Sequence, residues 1–142
     1  MMATVFTLLN HQLTANQTAE LREQYGADKF EFPPAHISAF WSQIPFDADI
    51  QKEGIAAICS WLAGACRNDI VIIQGESGMT FLLVDYALSR NLLPVFAVTK
   101  RVAREERDGE IVHREYTFEH VCFRKYQYFS ELSISSKGFS VL

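Results

Sequence analysis

The sequence predicts a three-layer α/β fold, in which a mostly parallel β-sheet is flanked by helices and carries an antiparallel β-hairpin at its C-terminal side. Apolar, β-branched runs alternate with segments of helical periodicity over roughly the first hundred residues, which is the pattern of βα units. Residues 69–99 have the length of one right-handed βαβ unit with a parallel strand pair. Asp108-Gly109 separates two later extended segments and is typical of a tight hairpin turn.

The elements before residue 68 follow from apolar patterning and from helix end signals. TVFTLL has the continuous apolar character of a strand that is buried on both faces. Thr14 and Gln17 have the spacing of a capping box, and Gly26 is a typical C-terminal stop, so a helix is expected between them. In chain order, the predictions are a strand at 4–9, a helix at 14–26, a strand at 29–32, a helix at 35–43 and a helix at 49–66.

The second half continues the alternation and then changes character. The predictions are a strand at 69–74, a helix at 81–90, a strand at 94–99, the hairpin around Asp108-Gly109 and an extended segment at 118–128. Residues 130–142 are Ser-rich and weakly patterned, which predicts a loose tail. We therefore expect a single domain over residues 1–129, followed by that tail.

Bulk composition restricts the possible partners. The 142 residues carry a net charge of −4, which disfavours non-specific binding to nucleic acid or anionic membranes. A small anionic ligand in a local basic pocket remains possible. The N-terminus lacks a signal-peptide layout, and no apolar run reaches the roughly 18 residues of a membrane span, so a cytoplasmic protein is expected.

The cysteines suggest neither a disulfide framework nor a zinc site. Cys59, Cys66 and Cys122 are odd in number and contain no CxxC pair. Cys59 and Cys66 fall within a helical pattern, where small buried residues are expected. No Asp, Glu or His cluster has the spacing of metal ligands, so no metal or other cofactor is expected.

One loop between a strand and a helix is a candidate anion site. In Gln74-Gly75-Glu76-Ser77-Gly78-Met79-Thr80, an apolar strand opens through Gly and Ser into a helix. The first N–H groups of a helix lack partners and carry the positive end of its dipole, so a phosphate would fit there. Gly75 and Gly78 would allow close backbone approach or a positive φ. The loop lacks the residues of a P-loop and of a dinucleotide fingerprint, and an ordinary strand-to-helix turn is the alternative.

Ligands of open α/β sheets bind outside the carboxyl ends of the strands. That rule brings together three predicted loops: Asn10-His11-Gln12, Gln74–Thr80 and Thr99-Lys100-Arg101. Together they offer amides, hydroxyls, an imidazole and two cations, which suit a phosphorylated polar ligand. The alternative for Lys100 and Arg101 is a solvated hairpin face.

Several of these side chains have two possible roles. His11 could be a general acid or base near neutral pH, or could only hydrogen-bond its loop. Glu76 could accept a hydrogen bond from adenine or ribose, or could cap the next helix, and Ser77 and Thr80 could also be caps. Strand alternation places His120 and Arg124 on one face, which could line the site or meet solvent.

Three segments resemble a known family. LLNHQLTANQ, DIVIIQGESGMTFLLVDYALSRNLLPVFAVTKRVAREE and FEHVCFRKY are similar to the small CRISPR-associated proteins grouped as type III ring nucleases. The resemblance covers most of residues 4–128. It implies a Rossmann-like (CARF-like) fold, a homodimer, and a cyclic oligoadenylate such as cyclic tetra-adenylate lying across the two-fold axis. Val98 stands where the family pattern has a second Thr before Thr-Lys-Arg, so a hydroxyl is missing there.

The activity that the resemblance implies is degradation of this second messenger, which switches off type III CRISPR signalling. A ribose 2′-OH would attack its own 3′-phosphate without a metal, with His11, Lys100 and Arg101 as catalytic residues. The implied ligand-binding residues are Asn10, Gln12, Gln74, Gly75, Glu76, Ser77, Gly78, Thr80, Thr99, His120 and Arg124. A non-catalytic CARF-like sensor or sponge is the alternative, and a protein-binding subunit that uses its Lys/Arg hairpin is a third.

Overall fold

A computed structural model describes residues 2–134 of the chain. Five strands and four α-helices form the domain, and a short 3-10 turn follows the last strand. In chain order they are β1 (Ala3–Leu8), α1 (Ala15–Tyr25), β2 (Ala27–Glu31), α2 (Ala35–Ser42), α3 (Lys52–Leu62), β3 (Ile70–Ile73), α4 (Ser77–Ser89), β4 (Leu93–Asp108), β5 (Ile111–Lys125) and the turn Phe129–Glu131.

The five strands form one sheet in the order β2-β1-β3-β4-β5. The pairs β1–β2, β1–β3 and β3–β4 are parallel, whereas β4 and β5 are antiparallel. The predicted α/β class, a Rossmann-like mostly parallel sheet with a C-terminal antiparallel hairpin, is therefore confirmed. Strand order reverses between β1 and β3, so the carboxyl ends of these two strands flank the switch point of the sheet.

Helices cover both faces of the sheet and make two cores. On one face, α2, α3 and α4 contribute Ile37, Trp41, Ile58, Leu62 and Leu83 to a cluster with alternate residues of β1 and β3. On the other face, α1 contributes Leu21 to a cluster that ends at Phe123 of β5. All four residues of β3 are buried, as its central position and continuous apolar sequence require.

Local end signals form as the sequence predicts. The Thr14 hydroxyl accepts from the Gln17 backbone N–H, and the Gln17 side chain accepts from the Thr14 N–H, which completes the capping box of α1. Gly26 ends this helix at φ 68° and Gly109 turns the hairpin at φ 66°, a left-handed conformation that favours glycine. The predicted helix start, helix stop and hairpin turn are all confirmed.

The predicted helix at 49–66 is too long at both ends. It runs from Lys52 to Leu62, and Cys66, which was expected to be buried, is exposed. The Asp69 carboxylate accepts from the backbone N–H groups of Cys66 at 2.8 Å and Thr4 at 3.0 Å. These two bonds direct the chain to the amino ends of β1 and β3 instead of extending the helix. Cys59 is half-buried against the core, and burial raises the pKa of its thiol.

The last two strands are much longer than predicted. β4 continues past Thr99 to Asp108. β5 begins at Ile111 and ends at Lys125, so it includes residues 118–125 of the predicted 118–128 segment. Residues 99–120, called the arm below, form a two-stranded ribbon that continues past the carboxyl ends of the parallel strands. Thr99, Lys100 and Arg101 therefore lie in a strand at the base of the arm, and their prediction as a loop is wrong. The predicted tail lies largely outside the described residues, in 135–142, after the turn at Phe129–Glu131.

Candidate functional site

A groove with both polar and apolar walls lies at the carboxyl end of β1, between α1, the end of β2 and α2. It has a volume of about 940 Å³ and is called the β1 groove below. The residues that matter to its chemistry are Asn10, His11, Gln12, Arg22, Phe32 and Ser38. The structure thus brings the three predicted residues of the first loop into one concave site at an end of the sheet where α/β proteins bind ligands.

The His11 ring is held in one tautomer by its own loop. Its Nδ1 lies 3.0 Å from the Gln12 carbonyl oxygen, and the side chain is exposed. A carbonyl oxygen only accepts, so Nδ1 carries the proton and donates it to Gln12. In the neutral ring Nε2 is then the basic nitrogen, and a basic imidazole nitrogen can remove a proton from a ligand hydroxyl.

Two residues that the sequence did not single out complete the β1 groove. Arg22 on α1 holds its guanidinium 5.0 Å from the centre of the Phe30 ring, a cation–π contact that positions a positive charge beside the polar loop. Phe32, just after β2, is 61% exposed and offers a ring on which a base could stack. Thr18 also lines the groove and lies four residues before Arg22 on α1. The two residues share one helix face, and this spacing could have indicated Arg22 from the sequence.

The loop after β3 is arranged differently from its prediction. Glu76 is the N-cap of α4, and its carboxylate accepts from the backbone N–H groups of Gly78 and of Met79, the latter at 3.3 Å. The Thr80 N–H donates to the Glu76 carbonyl oxygen at 2.9 Å. The N–H groups of Gly78 and Met79, which were expected to be unpaired, are therefore occupied, and the alternative role of Glu76 as a cap is confirmed. Ser77, Gly78 and Thr80 belong to the first turn of the helix.

Gln74 and Gly75 fix the backbone of this turn. The Gln74 side-chain oxygen accepts from the Ala97 N–H at 2.8 Å, and its carbonyl accepts from Trp41 Nε1 at 2.8 Å. Gly75 does not have a positive φ, but a Cβ built there would lie 2.6 Å from the Trp41 ring. Gly75 is thus needed for packing against Trp41 and not for approach to a ligand.

Gly75→Ala is expected to lower the free energy of unfolding by about 1–3 kcal/mol, because Trp41 is almost fully buried and cannot move away. Urea unfolding would measure this change. Gly64→Ala is the matched control, because a Cβ there meets no atom within 4 Å. Equal stability of the two variants would show that the Trp41 ring adjusts freely.

A second groove, called the α4 groove below, runs along α4 and has a volume of about 670 Å³. Its walls include Ser77 and Thr80 from the helix, Phe96 from β4 and Tyr126 after β5. Arg124 pairs directly with Phe96, so it lies on the same sheet face as this groove. The Thr80 hydroxyl oxygen is enclosed and has no hydrogen-bond partner, whereas the Tyr126 hydroxyl donates to the Ile73 carbonyl at 2.8 Å. Burial raises the pKa of Tyr126.

The base of the arm carries the predicted cations. Lys100 Nζ lies 3.7 Å from a carboxylate oxygen of Glu119, and the Arg101 guanidinium lies 4.5 Å from the centre of the Tyr116 ring. Both cations and Thr99 are exposed. They line neither the β1 groove nor the α4 groove.

His120 faces α1 and is not available to a ligand. Its Nε2 lies 2.7 Å from Glu20 Oε1, and its Nδ1 lies 3.3 Å from the Gln17 side-chain nitrogen, so both ring nitrogens are used. The prediction that His120 and Arg124 share a face is wrong because of a β-bulge. Val98 pairs with Cys122 and Thr99 with His120, which leaves Val121 without a partner and shifts the alternation by one residue.

The predicted site residues thus fall into separate places within one subunit. Asn10, His11 and Gln12 line the β1 groove, and Thr99–Arg101 stand at the base of the arm. Four residues of the loop after β3 border the α4 groove, namely Gln74, Gly75, Ser77 and Thr80. Within residues 2–134, no group of three His, Cys, Asp or Glu side chains is placed to hold a metal ion.

Comparison with known proteins gives the family of the chain. The model of the Uncharacterized protein MJ1673 family matches residues 3–124. The chain belongs to this family. The match to the MJ1673 family includes the β1 groove, the arm and the whole sheet except the end of β5.

One relative in the MJ1673 family is Uncharacterized protein MJ1673 from Methanocaldococcus jannaschii. It is 35% identical over 127 residues, which cover 88% of this chain and 98% of the relative. No solved structure matches the chain. None of the helices in residues 2–134 is long and apolar enough to cross a membrane.

Proposed function

We propose that this protein is a ring nuclease, which binds cyclic tetra-adenylate or a close relative in the cytoplasm and cleaves it without a metal, so that type III CRISPR signalling is switched off. The observation that carries the proposal is the contact of His11 Nδ1 with its own loop, which leaves Nε2 as the basic nitrogen of the neutral ring in an open groove at the carboxyl end of β1. The family resemblance of the three sequence segments supports the choice of ligand.

The β1 groove has the side chains that a nucleotide phosphodiester requires. Arg22 can bind phosphate oxygens, and the Asn10 and Gln12 side chains can bind ribose or base edges. Phe32 can stack on adenine, a contact worth about 1–3 kcal/mol per base in single-strand binding proteins. The groove volume of about 940 Å³ lies near the upper end of the usual range for ligand pockets, about 300–1,000 Å³, and can hold a segment of the ring.

The cleavage step needs only one proton acceptor and one proton donor. His11 Nε2 takes the proton of a ribose 2′-OH, and the 2′-oxygen forms a bond to the adjacent phosphorus. The bond from phosphorus to the 5′-oxygen breaks, and that oxygen takes a proton from solvent or from the His11 imidazolium. The products are linear adenylates with a 5′-OH and a 2′,3′-cyclic phosphate, and no water is consumed.

The proposed active species is a homodimer. A two-fold symmetric ring presents the same phosphates to both copies, and an isologous dimer presents the same groups to both halves of the ring. Arg101 stands apart from His11 in one subunit, so a second copy offers a way to bring this cation to the phosphates, whereas Lys100 lies on the opposite face of the strand. Thr99 lies beside them and provides an exposed hydroxyl.

Incubation of the purified protein with cyclic tetra-adenylate in EDTA, with the products resolved by mass, tests the proposal. Linear di-adenylate ending in a 2′,3′-cyclic phosphate is expected. Intact ligand that is tightly bound would contradict cleavage and favour a sensor or sponge. Loss of cleavage on adding EDTA would contradict the metal-independent step, and absence of any binding would overturn the ligand assignment.

A further inference from the structure

We infer that the arm is a docking surface for a second copy of this chain, and that each arm lies across the body of the other subunit. The inference rests on the proposed dimer, but it depends neither on the ligand nor on cleavage. Its evidence is the exposure, patterning, charge and size of the ribbon formed by residues 99–120.

Beyond its base, where His120 bonds Gln17 and Glu20 of α1, the arm is not covered by its own subunit. Within residues 99–120, Val102 and His120 are half-buried and every other residue is exposed. A two-stranded ribbon alone is marginally stable in water, because neither of its faces is packed against an apolar layer. A ribbon of ten paired residues per strand therefore needs a covering surface from another molecule.

The two faces of the arm differ in the way that one buried face requires. Cross-strand pairing and alternation place Arg101, Ala103, Tyr116, Phe118 and Val112 on one face, called the aromatic face below. Phe118 is 69% exposed and Tyr116 is 46% exposed there. The opposite face pairs Lys100 with Glu119 and Arg104 with Glu115 and also carries Glu106 and Asp108, so it is strongly charged and has no Phe or Tyr side chain. This pattern is that of a ribbon with one side in solvent and the other on a partner.

Charge favours the body of a second copy as the surface that the aromatic face covers. The aromatic face holds Arg101, Arg107 and Arg114 against Glu105, a net charge of +2. The whole arm holds five Lys or Arg and six Asp or Glu, so the remaining eight and eleven give the rest of the chain a net charge of −3. Two aromatic faces would repel each other, whereas an aromatic face and an acidic body attract.

The size of the arm also fits such a dimer. Ten residues at about 3.4 Å each make a ribbon roughly 30 Å long, and two strands with their side chains are about 10 Å wide. One face of the ribbon then has an area of about 300 Å². Two such faces and the two surfaces that they cover bury about 1,200 Å² in total, which is the lower end of stable specific interfaces. The geometry is isologous, because each subunit gives one arm and receives one.

Sedimentation of the full-length protein, compared between two neighbouring variants, tests this inference. Wild type is expected to sediment at about twice 16.2 kDa. Phe118→Asp on the aromatic face is expected to raise the dimer dissociation constant by about 30-fold or more, as for a buried interface anchor. Thr117→Asp, one residue away on the opposite face, is the matched control and is expected to change it by less than about threefold.

Three outcomes would overturn the inference. The first is a wild type that sediments as a monomer at about 100 μM. The second is an equal effect of the two substitutions on the dimer dissociation constant. The third is a monomer whose arm amides gain protection from hydrogen exchange only when linear tetra-adenylate is added. The last would assign the aromatic face to single-stranded nucleic acid, which also binds interleaved Arg and aromatic residues. A wild-type dimer that passes this test but leaves cyclic tetra-adenylate intact would contradict the proposed cleavage and support the docking surface.

Discussion

Replacement of His11 by alanine is expected to slow the single-turnover cleavage of cyclic tetra-adenylate by about 10²–10⁴-fold, the usual contribution of a general acid or base. The reason is that Nε2 is the accessible basic nitrogen of the β1 groove, since Nδ1 donates to the Gln12 carbonyl. Affinity for the ligand is expected to change by less than about threefold, because the substitution leaves Arg22 and Phe32 in place.

His36→Ala is the matched control for this experiment. His36 is also an exposed histidine, but it lies on α2 outside the groove lining, so its removal should leave the cleavage rate unchanged. Free imidazole added to the His11→Ala variant is expected to restore part of the rate, since a missing proton acceptor can be replaced from solution. An unchanged rate in the His11→Ala variant would remove this residue from the mechanism.

The features that the sequence predicted well depend on residues close together in the chain. The capping box of Thr14 and Gln17, the stop at Gly26 and the turn at Gly109 each need fewer than about five neighbouring residues. The alternation of apolar runs with helical segments was enough to predict the parallel sheet. The loop of His11 could be assigned to the carboxyl end of β1 for the same reason.

The features that the sequence did not predict depend on contacts between distant residues. Gly75 packs against Trp41, and the β1 groove combines Arg22 of α1 with Phe32 after β2. The sequence predicted the arm only as shorter segments, because its many charged residues leave few apolar positions to mark a strand. Cross-strand pairing nevertheless keeps these residues extended. The bulge at Val121 reversed the face of His120, since a single inserted residue changes the parity of a strand.

The bulge has a structural consequence, because it turns the His120 side chain toward α1. His120 there takes part in a series of hydrogen bonds that joins β5 to α1. The Thr14 N–H donates to the Gln17 side-chain oxygen, so the Gln17 nitrogen faces His120 and donates to its Nδ1. His120 Nε2 must then carry the proton and donate to Glu20 at 2.7 Å. The other Glu20 oxygen accepts from the Phe123 N–H at 2.7 Å.

The series of hydrogen bonds from Thr14 ends at Glu20, and the Tyr25 hydroxyl bonds the same residue of β5 as Glu20 does. The Tyr25 hydroxyl donates to the Phe123 carbonyl at 3.2 Å, so both backbone groups of Phe123 are tied to α1. Burial raises the pKa of Tyr25, and the negative charge of Glu20 adds to that rise. The Glu20 carboxylate thus fixes the position of β5 at the point where the arm begins.

Glu20→Ala is therefore expected to lower the free energy of unfolding by roughly 2–6 kcal/mol. It leaves the Phe123 N–H and the His120 Nε2–H without an acceptor at a poorly exposed site, and each unpaired donor costs about 1–3 kcal/mol. Glu23→Ala removes the same charge from an exposed position of the same helix, and its effect is expected to be within about 0.5 kcal/mol of zero. Urea unfolding of the two variants makes the comparison, and faster amide exchange at Phe123 in the Glu20 variant would locate the loss. If the two variants were equally stable, the carboxylate could not be what holds β5, and with it the base of the arm, against α1.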